Sequence, residues 1–132
     1  MKKITILLVI IFTFLFSTTS WGEWSVLGEN TKKGVKFYYS KDRVRKSGKN
    51  IYFWTLIDFK KPIEGSRYLS TTTYVELDCS IFRFKGLNYQ TFDKSMGEGQ
   101  IITDMVPPDE WSYPRPNSTF DYIFKKICEE HQ

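Results

Sequence analysis

The chain has 132 residues, a formal net charge of +4, one histidine and two cysteines. This length fits one domain with a single modest core, and no second domain is expected. Aromatic residues make up 17% of the chain and must supply much of that core, whereas no arrangement of catalytic or metal-binding groups stands out.

The first residues have the pattern of an export signal. Two lysines precede an apolar run at residues 4–16, and small residues stand at the positions that a signal peptidase inspects before Glu23. As a helix this run would reach about 20 Å, short of the ~30 Å core of a bilayer. The sequence therefore predicts a signal peptide at residues 1–22 and a mature domain at 23–132 without an integral membrane span, in the periplasm or at the cell surface.

Short apolar and aromatic runs broken by turn residues follow the signal, which is the rhythm of antiparallel β structure. A hairpin turn at Gly48 is expected to pair residues 44–46 with residues 51–54. Gly97-Glu98-Gly99 is better explained as a hairpin turn than as a phosphate-binding loop. The predicted strands are residues 24–27, 36–39, 50–59, 69–80 and 81–84 with a bend between these last two, and then residues 89–92 and 100–106.

Residues 74–81 alternate between polar and apolar side chains. The pattern places Cys79 and Ile81 on the apolar face of a strand, and Glu76 and Asp78 on the solvent face. Two carboxylates on one face could act as an acid–base pair or bind a hard cation. A solvated strand face explains them better, so no catalytic residue, metal ligand or cofactor is predicted.

The chain ends in a predicted helix. Prolines at positions 107, 108, 114 and 116 exclude regular structure before it, and Ser118 with Asp121 has the spacing of a capping box. His131 is expected to fray. In an oxidising compartment, Cys79 and Cys128 are expected to form a disulfide that ties the helix to the sheet. The predicted fold class is α+β, with an antiparallel sheet of about six strands and a C-terminal helix on one face.

Charge is distributed unevenly along the chain. Residues 32–61 hold ten basic side chains against two acidic ones, a net charge of +8, whereas the rest of the mature chain sums to −6. A basic face could attract an acidic protein or an anionic glycan, or it could be a solvated face whose lysines protect strand edges. Nucleic acid is not expected as a partner of an exported protein. The candidate ligand-binding residues are Lys32, Lys33, Lys36, Lys41, Arg43, Arg45, Lys46, Lys49, Lys60 and Lys61.

Two aromatic residues stand apart from the strands. Trp111 and Tyr113 lie among the prolines and could form an exposed contact patch of the kind that interfaces use, or could equally cap the core. Sheet edges leave a homodimer open as an alternative to a monomer. The sequence thus offers a basic and an aromatic candidate surface for partner binding.

A series of short motifs extends over most of the mature chain: Tyr38-Tyr39, Trp54, Asp58-Phe59-Lys60-Lys61-Pro62, Tyr68-Leu69-Ser70, Val75 to Cys79, Arg83, Met96-Gly97 with Gly99, Trp111, and Ser118 to Cys128. This pattern resembles the surface-adhesin protein E family of Gram-negative bacteria. The resemblance implies an antiparallel sheet with a disulfide-tied helix, and a non-enzymatic binding protein such as an adhesin for host matrix or serum proteins. Because this sequence departs from the lipoprotein pattern by lacking a lipobox cysteine, the alternative is a periplasmic accessory protein with a dedicated bacterial partner.

Overall fold

The computed structural model describes residues 24–131, so the signal peptide predicted at residues 1–22 lies outside the described residues. Tight turns at Gly34 and Gly48, both with positive φ, separate the first strands. The regular elements are β1 (Trp24–Asn30), β2 (Val35–Ser40), β3 (Arg45–Ser47), β4 (Asn50–Phe59), β5 (Ser70–Asp78), β6 (Arg83–Phe92), β7 (Ile101–Met105) and α1 (Thr119–His131).

The strands form one antiparallel sheet in the order β1-β2-β4-β5-β6-β7, and β3 pairs with β4 beyond the end of β2. The predicted antiparallel sheet and C-terminal helix are confirmed. The prediction of two separate strands at residues 81–84 and 89–92 is wrong, because β6 runs through both. A register shift opposite Tyr74 and Val75 takes up the extra residue, as a β-bulge does, and so the strand continues without a break.

The core lies between one face of the sheet and α1. Alternate residues of β2, β4 and β5 point toward α1. The helix packs against them with apolar residues at helical spacing. Phe53 and Phe124 are both fully buried and meet edge to face, with ring centroids 6.0 Å apart. Burial of each such side chain contributes about 1.5–3 kcal/mol. Among residues 24–131, the face opposite the helix is covered by no further α-helix or strand, only in part by the short 3-10 turn Ser95–Gly97.

The start and end of α1 are fixed by specific contacts. Ser118 Oγ accepts a hydrogen bond from Asp121 N at 3.2 Å, and Asp121 Oδ2 accepts one from Asn117 N at 3.0 Å, which confirms the predicted cap. The predicted disulfide is also confirmed: Cys79, just after β5, is bonded to Cys128 in the last turns of the helix, with Cα atoms 5.9 Å apart.

The expectation that His131 frays is wrong. The helix reaches His131, whose ring packs edge to face against Tyr39 with centroids 5.8 Å apart. Next to it, Tyr39 donates a 2.6 Å hydrogen bond to Glu130 Oε2. Burial, and then this hydrogen bond, raise the pKa of Tyr39 to about 12. Two long-range contacts to β2 therefore hold the end of the chain.

The predicted alternation stops earlier than the sequence suggests, because β5 ends at Asp78 and a turn follows. Ile81, expected on the apolar face, is 49% exposed, whereas Asp78, expected in solvent, is fully buried. Its carboxylate accepts hydrogen bonds from Ser80 Oγ at 2.5 Å and from Arg83 Nε at 3.3 Å, and Lys49 Nζ lies at 3.5 Å. These partners replace the water that the buried charge has lost.

Candidate functional site

The sheet face turned away from α1, here called the open face, carries a line of aromatic rings. Trp54 on β4 stacks against Tyr74 on β5 with centroids 4.9 Å apart. Tyr52 lies 6.4 Å from Tyr74, and the guanidinium of Arg45 sits 4.7 Å above the Tyr52 ring. These residues meet because cross-strand neighbours on an antiparallel pair share a face. The open face is thus partly aromatic although it lies outside the main core.

One segment of the β6–β7 connection crosses this face and is fastened to it. Asp58 Oδ1 accepts a hydrogen bond from Met96 N, and Ser70 Oγ accepts one from Gly97 N, both at 2.9 Å. The Ser70 hydroxyl also donates to Lys94 O at 2.6 Å. Met96 and Gly97 have φ values of 61° and 69°, in the left-handed region that ordinary residues seldom adopt. The hydrogen bonds hold this conformation in place.

A groove of about 700 Å³ lies between this segment and the 3-10 turn Lys41–Arg43. Its apolar lining comes from Trp24, Trp54, Phe92 and Met96. Small-molecule sites in proteins occupy about 300–1,000 Å³ and combine apolar walls with a few polar groups. The groove has the size and the wall composition of such a site.

Polar groups reach the groove from its floor and its rim. Ser40 lines it and is only 2% exposed, and no described residue gives its Oγ a hydrogen bond. Buried hydroxyls are nearly always hydrogen-bonded, so this oxygen is a candidate for bonding to a ligand. Gln90 and Arg43 add donors, and Glu98 adds a carboxylate acceptor.

The structure divides the ten basic residues predicted as one candidate site. Strand β4 separates two ends of the sheet by about 30 Å, since its ten residues rise about 3.3 Å each. The β1–β2 turn meets the end of β4 through a 2.9 Å hydrogen bond from Lys60 N to Gly34 O. The proximal cluster at this end consists of Lys32, Lys33, Lys36, Lys60 and Lys61, the distal cluster at the β3–β4 turn consists of Arg45, Lys46 and Lys49, and Lys41 and Arg43 lie between them.

The predicted aromatic pair behaves as two separate residues. Trp111 is half-buried, with the cationic groups of Arg83 and Lys85 at 4.2 Å and 4.8 Å from its ring centre. Tyr113 is 68% exposed. Ser112 between them exchanges backbone hydrogen bonds with Phe84, which continues the sheet beside β6. Neither aromatic belongs to the core cluster, and neither lines the groove.

Sequence reasoning missed the groove, although several of its supports were visible as motifs. Asp58, Ser70, Met96 and Gly97 all belong to the motif series, and they meet only in the folded chain. Across residues 24–131, no group of three or more His, Cys, Asp or Glu is placed to hold a metal ion. In that same part of the chain, no helix combines the length and apolar character that a membrane crossing requires.

Comparisons with known proteins give one matching family model and a set of structures with a similar fold. The family model described as surface-adhesin protein E matches residues 24–129. Crystal form II of Haemophilus influenzae protein E is similar, with 15% identity and a TM-score of 0.60 over 86% of this chain and 93% of that chain. A second structure of Haemophilus influenzae protein E has 15% identity and a TM-score of 0.55 over 86% and 89% of the two chains. The comparison with curated proteins gives no match.

Proposed function

Because this chain belongs to the surface-adhesin protein E family, we propose that it is an exported, non-enzymatic binding protein that holds an acidic host protein or an anionic glycan through its basic side chains. Its activity would then be adhesion, which needs an accessible surface and affinity but no reacting groups. The proposal builds on the family membership and on the distribution of charge over the sheet.

The proximal cluster carries this proposal. Within residues 24–131, none of its five lysines has a carboxylate within 4.0 Å, so their charges are not neutralised by ion pairs. Glu29 and Asp58 flank Lys36 across the strands, yet the cluster stays positive overall. Unpaired lysines on a turn and a strand end attract anions over about one Debye length, which is ~8 Å at physiological salt.

A pair of charge reversals tests this role. We expect Lys32→Glu/Lys33→Glu to weaken binding to immobilised heparin or matrix protein at least tenfold at low salt, and binding of the unmodified chain to fall as salt rises. The matched control is Arg115→Glu/Lys126→Glu, which makes the same change of charge at residues that belong to neither cluster and should alter binding less than twofold. Equal losses in both variants, or binding indifferent to salt, would contradict the proposal.

The alternative function is that of a periplasmic accessory protein with a bacterial partner. One observation bears on it: Cys79 and Cys128, the two cysteines of the sequence, are bonded to each other. Neither of them is therefore free to carry the lipid that attaches a lipoprotein to the outer membrane. Labelling of intact cells, followed by mass measurement of the mature chain, distinguishes this periplasmic function from adhesion. Surface labelling supports adhesion, whereas protection from the label supports a periplasmic partner.

A further inference from the structure

We infer that the groove on the open face binds a single acidic sugar ring, one that carries a carboxylate such as a uronic acid. The inference rests on the proposed function, because it names a glycan as the anionic partner and gives it a specific subsite. It adds a place, a ligand chemistry and a set of contacts that the basic clusters alone do not define.

The walls of the groove suit a sugar ring. Trp24 and Trp54 both line it, and Tyr74 occupies one side of the Trp54 ring at 4.9 Å. The faces of aromatic rings are electron-rich, so they attract the weakly positive C–H groups that cover one side of a pyranose. Trp54 is fixed by its stack on Tyr74, and a ligand therefore meets a ring that is already positioned.

The polar groups of the groove distinguish a sugar from a simple anion. Sulfate or phosphate accepts hydrogen bonds only, and a carboxylate beside it would repel it. In the groove Glu98 supplies a carboxylate acceptor and Arg43 supplies a cationic donor. A sugar hydroxyl donates as well as accepts, so Glu98 can bind hydroxyls while Arg43 pairs with the sugar carboxylate.

The buried Ser40 hydroxyl provides an independent argument. Ser40 is 2% exposed, it lines the groove, and its Oγ has no hydrogen-bond partner among the described residues. An unpaired buried hydroxyl of this kind is unfavourable until a ligand supplies its hydrogen-bond partner. A hydroxyl-rich ring placed against Trp24 offers that partner, whereas an apolar ligand would leave Ser40 unsatisfied.

The basic residues near the groove favour a ligand with net negative charge. Arg43 has no carboxylate within 4.0 Å in the described part of the chain, so its guanidinium is available. Lys41 precedes it in the same turn. The groove thus combines an arginine without an ion-pair partner among the described residues, aromatic side chains, and hydrogen-bond donors and acceptors, which together match a carboxylate-bearing sugar.

The test uses an unsulfated hyaluronan tetrasaccharide, which contains glucuronate, and the exported chain purified after its mass has been measured. Three tryptophans lie in the predicted mature chain, and each has one indole N–H signal in an NMR titration. We expect the signals of Trp24 and Trp54 to shift and saturate, while that of Trp111, outside the groove, stays in place. No shift at the groove tryptophans overturns the inference, even if heparin binding through Lys32 and Lys33 persists.

Variants then assign the contacts. Arg43→Gln should weaken tetrasaccharide binding at least tenfold, as expected for loss of a charge-assisted contact. Arg45→Gln removes an arginine from the same open face outside the groove and should weaken tetrasaccharide binding less than twofold. Trp24→Leu provides a second groove variant at the beginning of the first strand, with an expected loss of fivefold or more. Equal effects of Arg43→Gln and Arg45→Gln overturn the assignment.

Two competitors complete the test. The same tetrasaccharide with its carboxyl groups methyl-esterified should bind at least tenfold more weakly, because Arg43 then lacks its partner. A short peptide with a free C-terminal carboxylate should not displace the sugar. Undiminished binding of the ester, or tighter binding of the peptide, overturns the sugar assignment. Groove binding without any salt-sensitive binding to the proximal cluster would instead refute the broader proposed function alone.

Discussion

Asp78 shows how a buried charge is accommodated at the end of a strand. Hydrogen bonds from the Ser80 hydroxyl and then from the Ser80 backbone and Arg83, with the charge of Lys49, outweigh the opposing effect of burial and lower its pKa to about 2. Ser80 and Arg83 follow in the same hairpin, but Lys49 comes from a different turn. The carboxylate therefore links the β3–β4 turn to the β5–β6 turn.

We expect Asp78→Asn to lower the free energy of unfolding by about 2 kcal/mol, because hydrogen bonds to a charged group are lost and Arg83 is left without its partner. Urea unfolding at neutral pH measures this. The control is Asp109→Asn, which removes the ion pair between Lys85 and the 88% exposed Asp109 and should change stability by less than about 0.5 kcal/mol.

The same residue predicts a dependence of stability on pH. The folded pKa of about 2 lies below the ordinary value of 3.8, so the contribution of Asp78 is present above about pH 4 and is lost as the pH falls toward 2. In Asp78→Asn the loss of stability between pH 4 and pH 2 should be smaller than in the unmodified chain. Parallel curves for the two proteins would show that Asp78 is not the group responsible.

At the scale of elements, the disulfide joins the sheet to its only helix among the described residues. It closes a loop with a sequence separation of 49 residues, which corresponds to about 4 kcal/mol in the chain-entropy estimate. We expect Cys79→Ser/Cys128→Ser to lower the free energy of unfolding by about that amount, as measured by urea denaturation. Reduction of the unmodified chain by dithiothreitol should have the same effect, and a stable reduced form would contradict the prediction.

The segment over the open face depends on Ser70. This residue is fully buried and bonds to both Lys94 and Gly97. Ser70→Ala should increase amide hydrogen exchange at Gly97 about fivefold, because a hydrogen bond worth about 1 kcal/mol no longer holds that amide. Exchange at Phe53 in the central strand should not change. The control Ser66→Ala removes only an exposed hydroxyl contact to Ile63 O and should leave Gly97 unaffected.

At the scale of the whole molecule, the sheet, the helix and the disulfide could be predicted from local patterns. The alternation in β5 and the cap at Ser118 depend only on residues close together in the sequence. The disulfide was predictable because two cysteines can form only one intramolecular pair. The continuity of β6 could not be predicted in this way, because its bulge is defined only by the register with the partner strand β5. Asp78 was misplaced for a similar reason, since Lys49 and Arg83 cover it from two different turns.

The candidate site was less predictable than the fold. The run of basic residues looks continuous in sequence, yet the rise of β4 places its ends about 30 Å apart. The groove joins Trp24, Arg43, Trp54 and Glu98, which come from four separate segments. No spacing rule relates such residues, because their proximity depends on the order of strands in the sheet.

Alternation along the strands also has an evolutionary consequence. In β4 the side chain of Phe53 faces α1 while that of the next residue, Trp54, faces the groove. Substitutions at accessible open-face positions such as Trp54 therefore alter the groove without touching the core cluster against α1, whereas Leu56, which has the same parity in β4, is fully buried. At the accessible positions this weakens the usual trade-off between new specificity and stability. We expect relatives of this chain to diversify their targets through open-face positions, so that one scaffold can follow a changing set of host molecules.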